Sequence, residues 1–167
     1  MMEVGCGPYQ KKEWDLGDAK IKSCDTYKYL GDMIMRNGSN KRNLEEREIK
    51  CKVATRKIMT ICSSEVIKKI EMYALLKMHE TNTLQILLTN CETWVLNKGE
   101  RDKLDKIELW ALKKILDIPV TTPTAAVIYI TGTLLTSLRV DQRQLFYLKT
   151  LLVLRYRVLG IQIWVQS

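Results

Sequence analysis

The sequence predicts a mainly α-helical chain that begins with a small antiparallel β meander. Short runs with strand character, separated by glycines, fill the first part, and apolar residues then recur at three- and four-residue spacing. Hydrophobic residues make up 46% of the 167 residues and charged residues 28%, as in ordinary globular proteins. The length therefore allows one compact domain or one part of a larger protein.

Three strands are predicted before the first helix. They are Glu13–Leu16, Lys20–Cys24 and Tyr27–Met35. A turn follows at Gly38, Ser39 and Asn40. Either Asn40 or Asn43 can cap the next helix, because an asparagine side chain accepts a hydrogen bond from a free backbone N–H of the first turn.

Two amphipathic helices are predicted next. The first covers Leu44–Cys62, where Leu44, Cys51, Ile58 and Cys62 fall on one side. Ser63-Ser64-Glu65 breaks this pattern and caps a second helix, whose apolar positions are Ile67, Ile70, Ala74 and Met78. We expect that helix to end between His79 and Asn82. The apolar run Leu84–Leu88 is too short for periodicity to separate helix from strand.

The C-terminal half predicts three more helices. Asn97 and Glu100 form a capping pair before a helix whose buried face carries Leu104, Ile107, Ala111, Ile115 and Ile118, and Pro119 ends it. Pro123 and Gly132 are typical of the first and last positions of a short helix. A last helix is expected from Leu134 to Leu159, and residues 161–165 have strand character.

Charge and composition narrow the classes of function. The net charge is +8, with eleven bases against seven acids in residues 32–80 and five against one in residues 120–167. This excess favours either a polyanionic partner or simple solubility. The uncharged segment Ile118–Leu138 contains six threonines, two prolines and a glycine, which favours a short buried helix between turns over a membrane span. One histidine, five scattered cysteines and no secretory signal indicate an intracellular chain, nuclear or cytoplasmic.

No arrangement of residues predicts a catalytic, metal or cofactor site. The sequence contains neither Asp-Asp nor Asp-x-Asp, and no glycine-rich phosphate loop. We interpret Glu45, Glu46 and Glu48 as residues that favour a helix start. The acids Asp102, Asp105 and Glu108 are interpreted as a solvent-exposed, salt-linked face. His79 and Cys91 could act as base and nucleophile only with a third, orienting group, which the sequence does not indicate.

Basic residues on the first predicted helix could contact phosphates. They are Arg47, Lys50, Lys52, Arg56 and Lys57. At about 100° per residue they spread over more than half of the helix circumference, so an ordinary solvated surface explains them equally well. The four tryptophans allow base stacking or, more commonly, burial in a core.

Several segments form an ordered series along the chain: Trp14–Gly17, Tyr27–Gly31, Gly38, Cys91–Lys98, Glu108–Pro119, Thr122–Ala126, Thr131-Gly132 and Arg143–Leu145. This series resembles the part beyond the palm of non-LTR (LINE-type) retrotransposon reverse transcriptases. They follow the order of the family over about residues 14–150. In that family a Tyr-Lys-Tyr-Leu-Gly hairpin forms the primer grip, which the resemblance assigns here to Lys28, Tyr29, Leu30 and Gly31.

The resemblance implies three regions. Residues 1–38 would be the edge of a palm with the primer-grip hairpin, 39–119 a helical thumb, and 120–167 a helical extension. The catalytic Tyr/Phe-Ala-Asp-Asp motif and the fingers and palm are missing, so we expect a reverse transcriptase fragment that is not an enzyme by itself. Its expected partners are an RNA/DNA template–primer duplex and the missing fingers and palm, with no cofactor and no membrane. The alternative is a non-enzymatic helical interaction module or a non-functional relic of a retroelement.

Overall fold

A computed structural model describes residues 13–17, 19–62 and 72–158. The chain is mainly helical, with small antiparallel β structure before the helices, and the predicted fold class is confirmed. The α-helices are α1 (Lys41–Cys62), α2 (Met72–Met78), α3 (Leu84–Leu88), α4 (Lys98–Ile115), α5 (Thr124–Thr131) and α6 (Thr136–Val158). A π-helical turn (His79–Thr83) joins α2 to α3, and a 3-10 turn (Cys91–Thr93) follows α3.

The β structure consists of two separate hairpins instead of one meander. The strand pairs are β1 (Glu13–Leu16) with β2 (Ala19–Lys22), and β3 (Thr26–Tyr29) with β4 (Asp32–Met35). The predicted third strand is therefore a hairpin. Its chain direction reverses at Leu30 and Gly31, whose φ angles are 48° and 93°. Positive φ at both turn residues matches the twist of a two-residue hairpin, and glycine takes this conformation at little cost.

Helix α1 begins earlier than its apolar pattern indicated. It starts at Lys41, so Glu45, Glu46 and Glu48 lie beyond the first turn, which contains no acid. The interpretation of these glutamates as residues of a helix start is therefore wrong. The predicted seam is confirmed at Leu44, Cys51 and Ile58, which are buried, and the side chain of Cys62 lies outside the described part of the chain.

The helix expected to end between His79 and Asn82 continues instead. A π-helical turn carries the helical path from α2 into α3. Thr81 Oγ1 donates to the Lys77 carbonyl at 2.9 Å and Asn82 Nδ2 to the Met78 carbonyl at 3.0 Å. The polar side chains that resembled a helix break thus bond the backbone of the same helix. The predicted break at 63–65, with Ile67 and Ile70, lies outside the described residues.

Helix α4 is the centre of the helical region and packs against α1, α5 and α6. Its predicted cap is confirmed, since Asn97 Oδ1 accepts from the Glu100 N–H at 2.9 Å and Glu100 Oε2 accepts from the Asn97 N–H at 3.0 Å. The predicted apolar face is buried at Leu104, Ile107, Ala111 and Ile115. The main core cluster joins this face to α1, α3, the 3-10 turn and α6. Ile118 lies beyond the helix and is partly buried.

The last two helices differ from prediction mainly in burial. Gly132 ends α5 at a φ of 62°, as expected, but Val127 is the one fully buried side chain of α5. Tyr129 is 90% exposed. The expected buried helix is thus largely at the surface, because α5 packs through one face on α4. Helix α6 packs against α3, α4 and the 3-10 turn, and the predicted strand at 161–165 lies outside the described residues.

Replacing Ile107 by aspartate should lower the free energy of unfolding by about 3–5 kcal/mol, because a charge would be buried without a partner. Ile107 is only 4% exposed. Urea denaturation measures the change. Lys106→Asp, at an exposed position of the same helix, should lower it by less than about 1 kcal/mol. Similar losses in both variants would contradict this orientation of α4.

Candidate nucleic-acid interface

The predicted primer-grip residues lie together at the tip of the β3–β4 hairpin. Tyr29 is 56% exposed and Leu30 77% exposed, so two adjacent large side chains of the tip lie at the surface. Asn90 Nδ2 donates to the Leu30 carbonyl at 3.0 Å, which ties the tip to the turn after α3. Lys28 Nζ pairs with Glu46 of α1 at 3.2 Å. The tip is therefore held by its backbone and its base while two of its side chains stay in solvent.

The first turns of α1 hold this hairpin. Arg42 Nη1 donates to Thr26 Oγ1 at 2.9 Å, and Asn43 Nδ2 donates to Asp32 Oδ1 at 3.1 Å. Asp32 is the first residue of β4 and follows the tip directly. The hairpin and the helix are thus joined along the whole length of the hairpin by side chains of α1.

Arg47 is not a surface cation, and its predicted contact with phosphate is wrong. The residue is 5% exposed. Its guanidinium donates to Asp32 Oδ1, to the Ile86 carbonyl and to Asn43 Oδ1, and lies 4.7 Å from the centre of the Trp94 ring. The group is buried, hydrogen-bonded from three nitrogens and stacked on Trp94, so it is not accessible to a phosphate.

Lys50 and Lys52 are exposed in part but have acidic partners on the same helix. Lys50 Nζ lies 2.7 Å from Glu46 and Lys52 Nζ 2.7 Å from Glu48. The hydrogen bond from Lys50, followed by that from Lys28, lowers the pKa of Glu46, and the hydrogen bond from Lys52 lowers the pKa of Glu48. Both acids thus remain ionised at neutral pH and offset these cations. Ion pairs of this exposure contribute little to stability.

Arg56 and Lys57 complete the predicted basic set and differ from the others. Both are exposed, and within the described ranges neither side chain has an acidic partner. They lie in the last two turns of α1, away from the hairpin end. Of the five basic residues predicted on this helix, these two therefore offer the least compensated charge for a phosphate.

A groove of about 1020 Å³ lies between the hairpin and α6. Its walls include the apolar side chains Tyr29, Met33, Met35, Trp94, Phe146 and Tyr147. Arg143 Nη1 donates to the Leu88 carbonyl at 3.0 Å and Gln144 Nε2 to the Trp94 carbonyl at 2.6 Å, and these bonds fix α6 beside the hairpin. Sequence analysis singled out Arg143 and Gln144 but missed Phe146 and Tyr147, since only the tertiary fold brings α6 to the tip.

Two of the acids interpreted as a solvent-exposed face bind the start of α6 instead, and one of them, Glu108, is buried. Asp105 accepts from the Ser137 backbone N–H and from its hydroxyl, each at 2.8 Å, and so binds the start of α6. Glu108 is 1% exposed. It accepts from the Thr136 hydroxyl, and its other oxygen lies 3.9 Å from His79 Nε2. The exposed interpretation holds for Asp102 alone.

The possible nucleophile and base have no suitable surroundings. His79 is buried, and its acidic neighbour is Glu108. Neither ring nitrogen of His79 forms a hydrogen bond, so His79 is not hydrogen-bonded to Cys91. Burial raises the pKa of the Cys91 thiol to about 11 and that of Cys51 to about 12. A raised thiol pKa leaves almost no thiolate at neutral pH, and the thiolate is the reactive form.

Comparison of the chain with protein-family models, with curated proteins and with solved structures found no match. Among the residues that the structure describes, no helix has the length and apolar character needed to cross a membrane. The same residues bring together no group of three or more histidine, cysteine, aspartate or glutamate side chains that could hold a metal ion. Within the described part of the chain, the exposed groups considered for binding lie at the hairpin tip, at the end of α1 and in the groove.

The folded protein should leave Cys51 and Cys91 unmodified by iodoacetamide at about pH 8, because their pKa values are raised and thiolate is scarce. Both should react fully in denaturant. Cys24 is partly exposed and serves as the internal control that reacts in the folded state. Peptide mass mapping measures each site. If Cys91 were modified as fast as Cys24, the burial of Cys91 would be contradicted and a nucleophilic role for Cys91 would again be possible.

Proposed function

We propose that this chain is the primer-grip and thumb portion of a reverse transcriptase of the non-LTR type and that it holds an RNA/DNA template–primer duplex. One observation carries the proposal: the β3–β4 hairpin keeps Tyr29 and Leu30 in solvent while its backbone and base are fixed to the helices. Exposed apolar side chains on a rigid support are typical of binding surfaces. The tip would contact the end of the primer strand.

The groove beside the tip supports contact with a nucleic-acid strand. Phe146 is 72% exposed and Tyr147 40% exposed, and both line the groove with Tyr29. An accessible aromatic ring can stack on any base, which suits a surface that must accept every sequence. These side chains would hold an unpaired or terminal nucleotide next to the hairpin.

The end of α1 supplies the charge for the duplex backbone. Arg56 and Lys57 are exposed and have no acidic partner among the described residues, whereas Lys50 and Lys52 are offset by neighbouring glutamates. Contacts between such cations and phosphates raise affinity through counterion release and carry no sequence information. A thumb that slides along a growing duplex needs this kind of contact.

We assign no catalytic step to this chain. The Tyr/Phe-Ala-Asp-Asp motif of the family is absent from its sequence. Polymerisation requires carboxylates that hold two metal ions, and those residues would come from the fingers and palm as a partner. The proposed role is therefore to hold the substrate, inside the cell, in the nucleus or the cytoplasm.

The second half of α6 favours a different function, that of an interaction module. Its exposed side chains include Leu148, Leu151, Leu152 and Leu154, each more than 40% exposed. Several large apolar side chains exposed next to one another on a helix are typical of a surface that packs against other protein. Stable self-association without duplex binding would favour this function, and absence of both would favour a relic.

Replacing Arg56 and Lys57 together by glutamine should flatten the dependence of duplex affinity on salt. The slope of log K against log salt should fall by up to about 0.9 for each phosphate that is no longer neutralised, the value for B-form DNA. Fluorescence anisotropy with a labelled RNA/DNA hybrid over a salt series measures both affinity and slope.

The matched control is Lys50→Gln with Lys52→Gln, which removes the same formal charge from the same helix. Its slope should change less, because Glu46 and Glu48 already compensate these two lysines. Binding that is independent of salt in the unmodified chain would contradict the proposed function. Equal slopes for all three proteins would leave α1 as a solvated surface.

A further inference from the structure

We propose that Arg47 is the positioning residue of the hairpin tip: it fixes the place of Tyr29 and Leu30 relative to the phosphate-contacting end of α1. This inference rests on the proposed function and adds a residue that acts through others, without contact with the nucleic acid. Arg47 lies on α1, while the residue that it holds most directly, Asp32, follows the tip on β4. One side chain thus joins the two parts of the proposed duplex site.

The contacts of Arg47 determine its orientation completely. Nη2 donates to Asp32, Nη1 to the Ile86 carbonyl at the middle of α3, and Nε to Asn43 Oδ1 at 3.3 Å. The plane of the guanidinium lies over Trp94, with 4.7 Å to the ring centre. Four separate elements therefore meet on one cation: α1, α3, β4 and the segment after the 3-10 turn.

This arrangement requires arginine and not merely a positive charge. A guanidinium presents donors at fixed angles in one plane and stacks on an aromatic face. The ammonium of a lysine is a compact charge, which could approach Asp32 but could not also bond Ile86 and cover Trp94. Lysine at this position would preserve charge and lose the fixed geometry.

Asp32 has little freedom on its side. Its side chain is 15% exposed, and the same oxygen accepts from Asn43 at 3.1 Å and from Arg47. The turn Leu30-Gly31 precedes it directly, so the fixed carboxylate limits where the tip can lie. Arg56 follows Arg47 by nine residues of α1, which is about 14 Å along the helix axis. The contact between Arg47 and Asp32, which we call the Arg47–Asp32 lock, would therefore set a constant distance between the primer end and the first phosphates held by α1.

The test compares Arg47→Lys with two reference variants of the full chain. Tyr29→Ala removes the tip side chain, and Arg56→Gln removes a proposed phosphate contact. Asp32→Asn breaks the same lock from the hairpin side and replaces Arg47→Lys if that variant fails to fold. Two hybrids of equal length are bound, one with a recessed primer 3′ end and one with blunt ends, over a salt series.

The unmodified chain should bind the hybrid with the recessed primer end more tightly than the blunt hybrid. Arg47→Lys should lose this preference to the same extent as Tyr29→Ala, and its salt slope should equal that of the unmodified chain. Arg56→Gln should keep the preference and reduce the slope by up to about 0.9. Hydrogen exchange gives a second readout, independent of nucleic acid. The amides of β3 and β4 should exchange about tenfold faster in Arg47→Lys, and those of α4 at the original rate. Tyr29→Ala should leave both unchanged.

Three results would overturn these ideas in distinguishable ways. A reduced slope in Arg47→Lys, like that of Arg56→Gln, would mean that Arg47 reaches phosphate. A retained end preference, or unchanged exchange of β3 and β4, with normal duplex binding would overturn the positioning role alone. Absence of duplex binding by the unmodified chain would overturn the proposed function itself.

Discussion

The buried guanidinium of Arg47 is the constraint on which the proposed site depends. A buried cation is costly unless it is paired and fully hydrogen-bonded, so Asp32, Asn43, Ile86 and Trp94 must all stay in place around it. Because these partners belong to different elements, the hairpin cannot move without exposing an unpaired charge. A small hairpin that would be marginal by itself is thereby given a fixed position on the helices.

Burial of Arg47 also reduces the number of basic residues on α1 that could contact an anion. The sequence predicted five basic residues on the first helix that could contact phosphates, but in the structure α1 uses these cations in three ways. Arg47 is internal, Lys50 and Lys52 are offset by glutamates, and Arg56 and Lys57 have no acidic partner in the described part of the chain. The separation places the least compensated charge at one end of α1 and the exposed apolar tip at the other, which is the arrangement on which the proposed function rests.

Features that depend on neighbouring residues were predictable, and features that depend on tertiary contacts were not. The caps of α4 and α5 follow from Asn97 with Glu100 and from Gly132, since both act within one turn. Burial of charge depends on a distant partner. Arg47 lies three residues after Leu44, and Glu108 lies four after Leu104, so both occupy apolar seams. That spacing could have indicated that Arg47 and Glu108 are buried and paired within the protein. It could not identify Asp32 and Thr136 as their partners, because both lie far away along the sequence.

A double-mutant cycle between Arg47 and Asp32 tests the central claim most directly. The free energy of unfolding is measured by urea denaturation for the unmodified chain, Arg47→Met, Asp32→Asn and the double variant. If the pair locks the hairpin to α1, the coupling energy should exceed about 1.5 kcal/mol, because each single change leaves the other group buried without its partner. Additive effects, with a coupling energy near zero, would show that the hairpin is held by other contacts and would contradict the account.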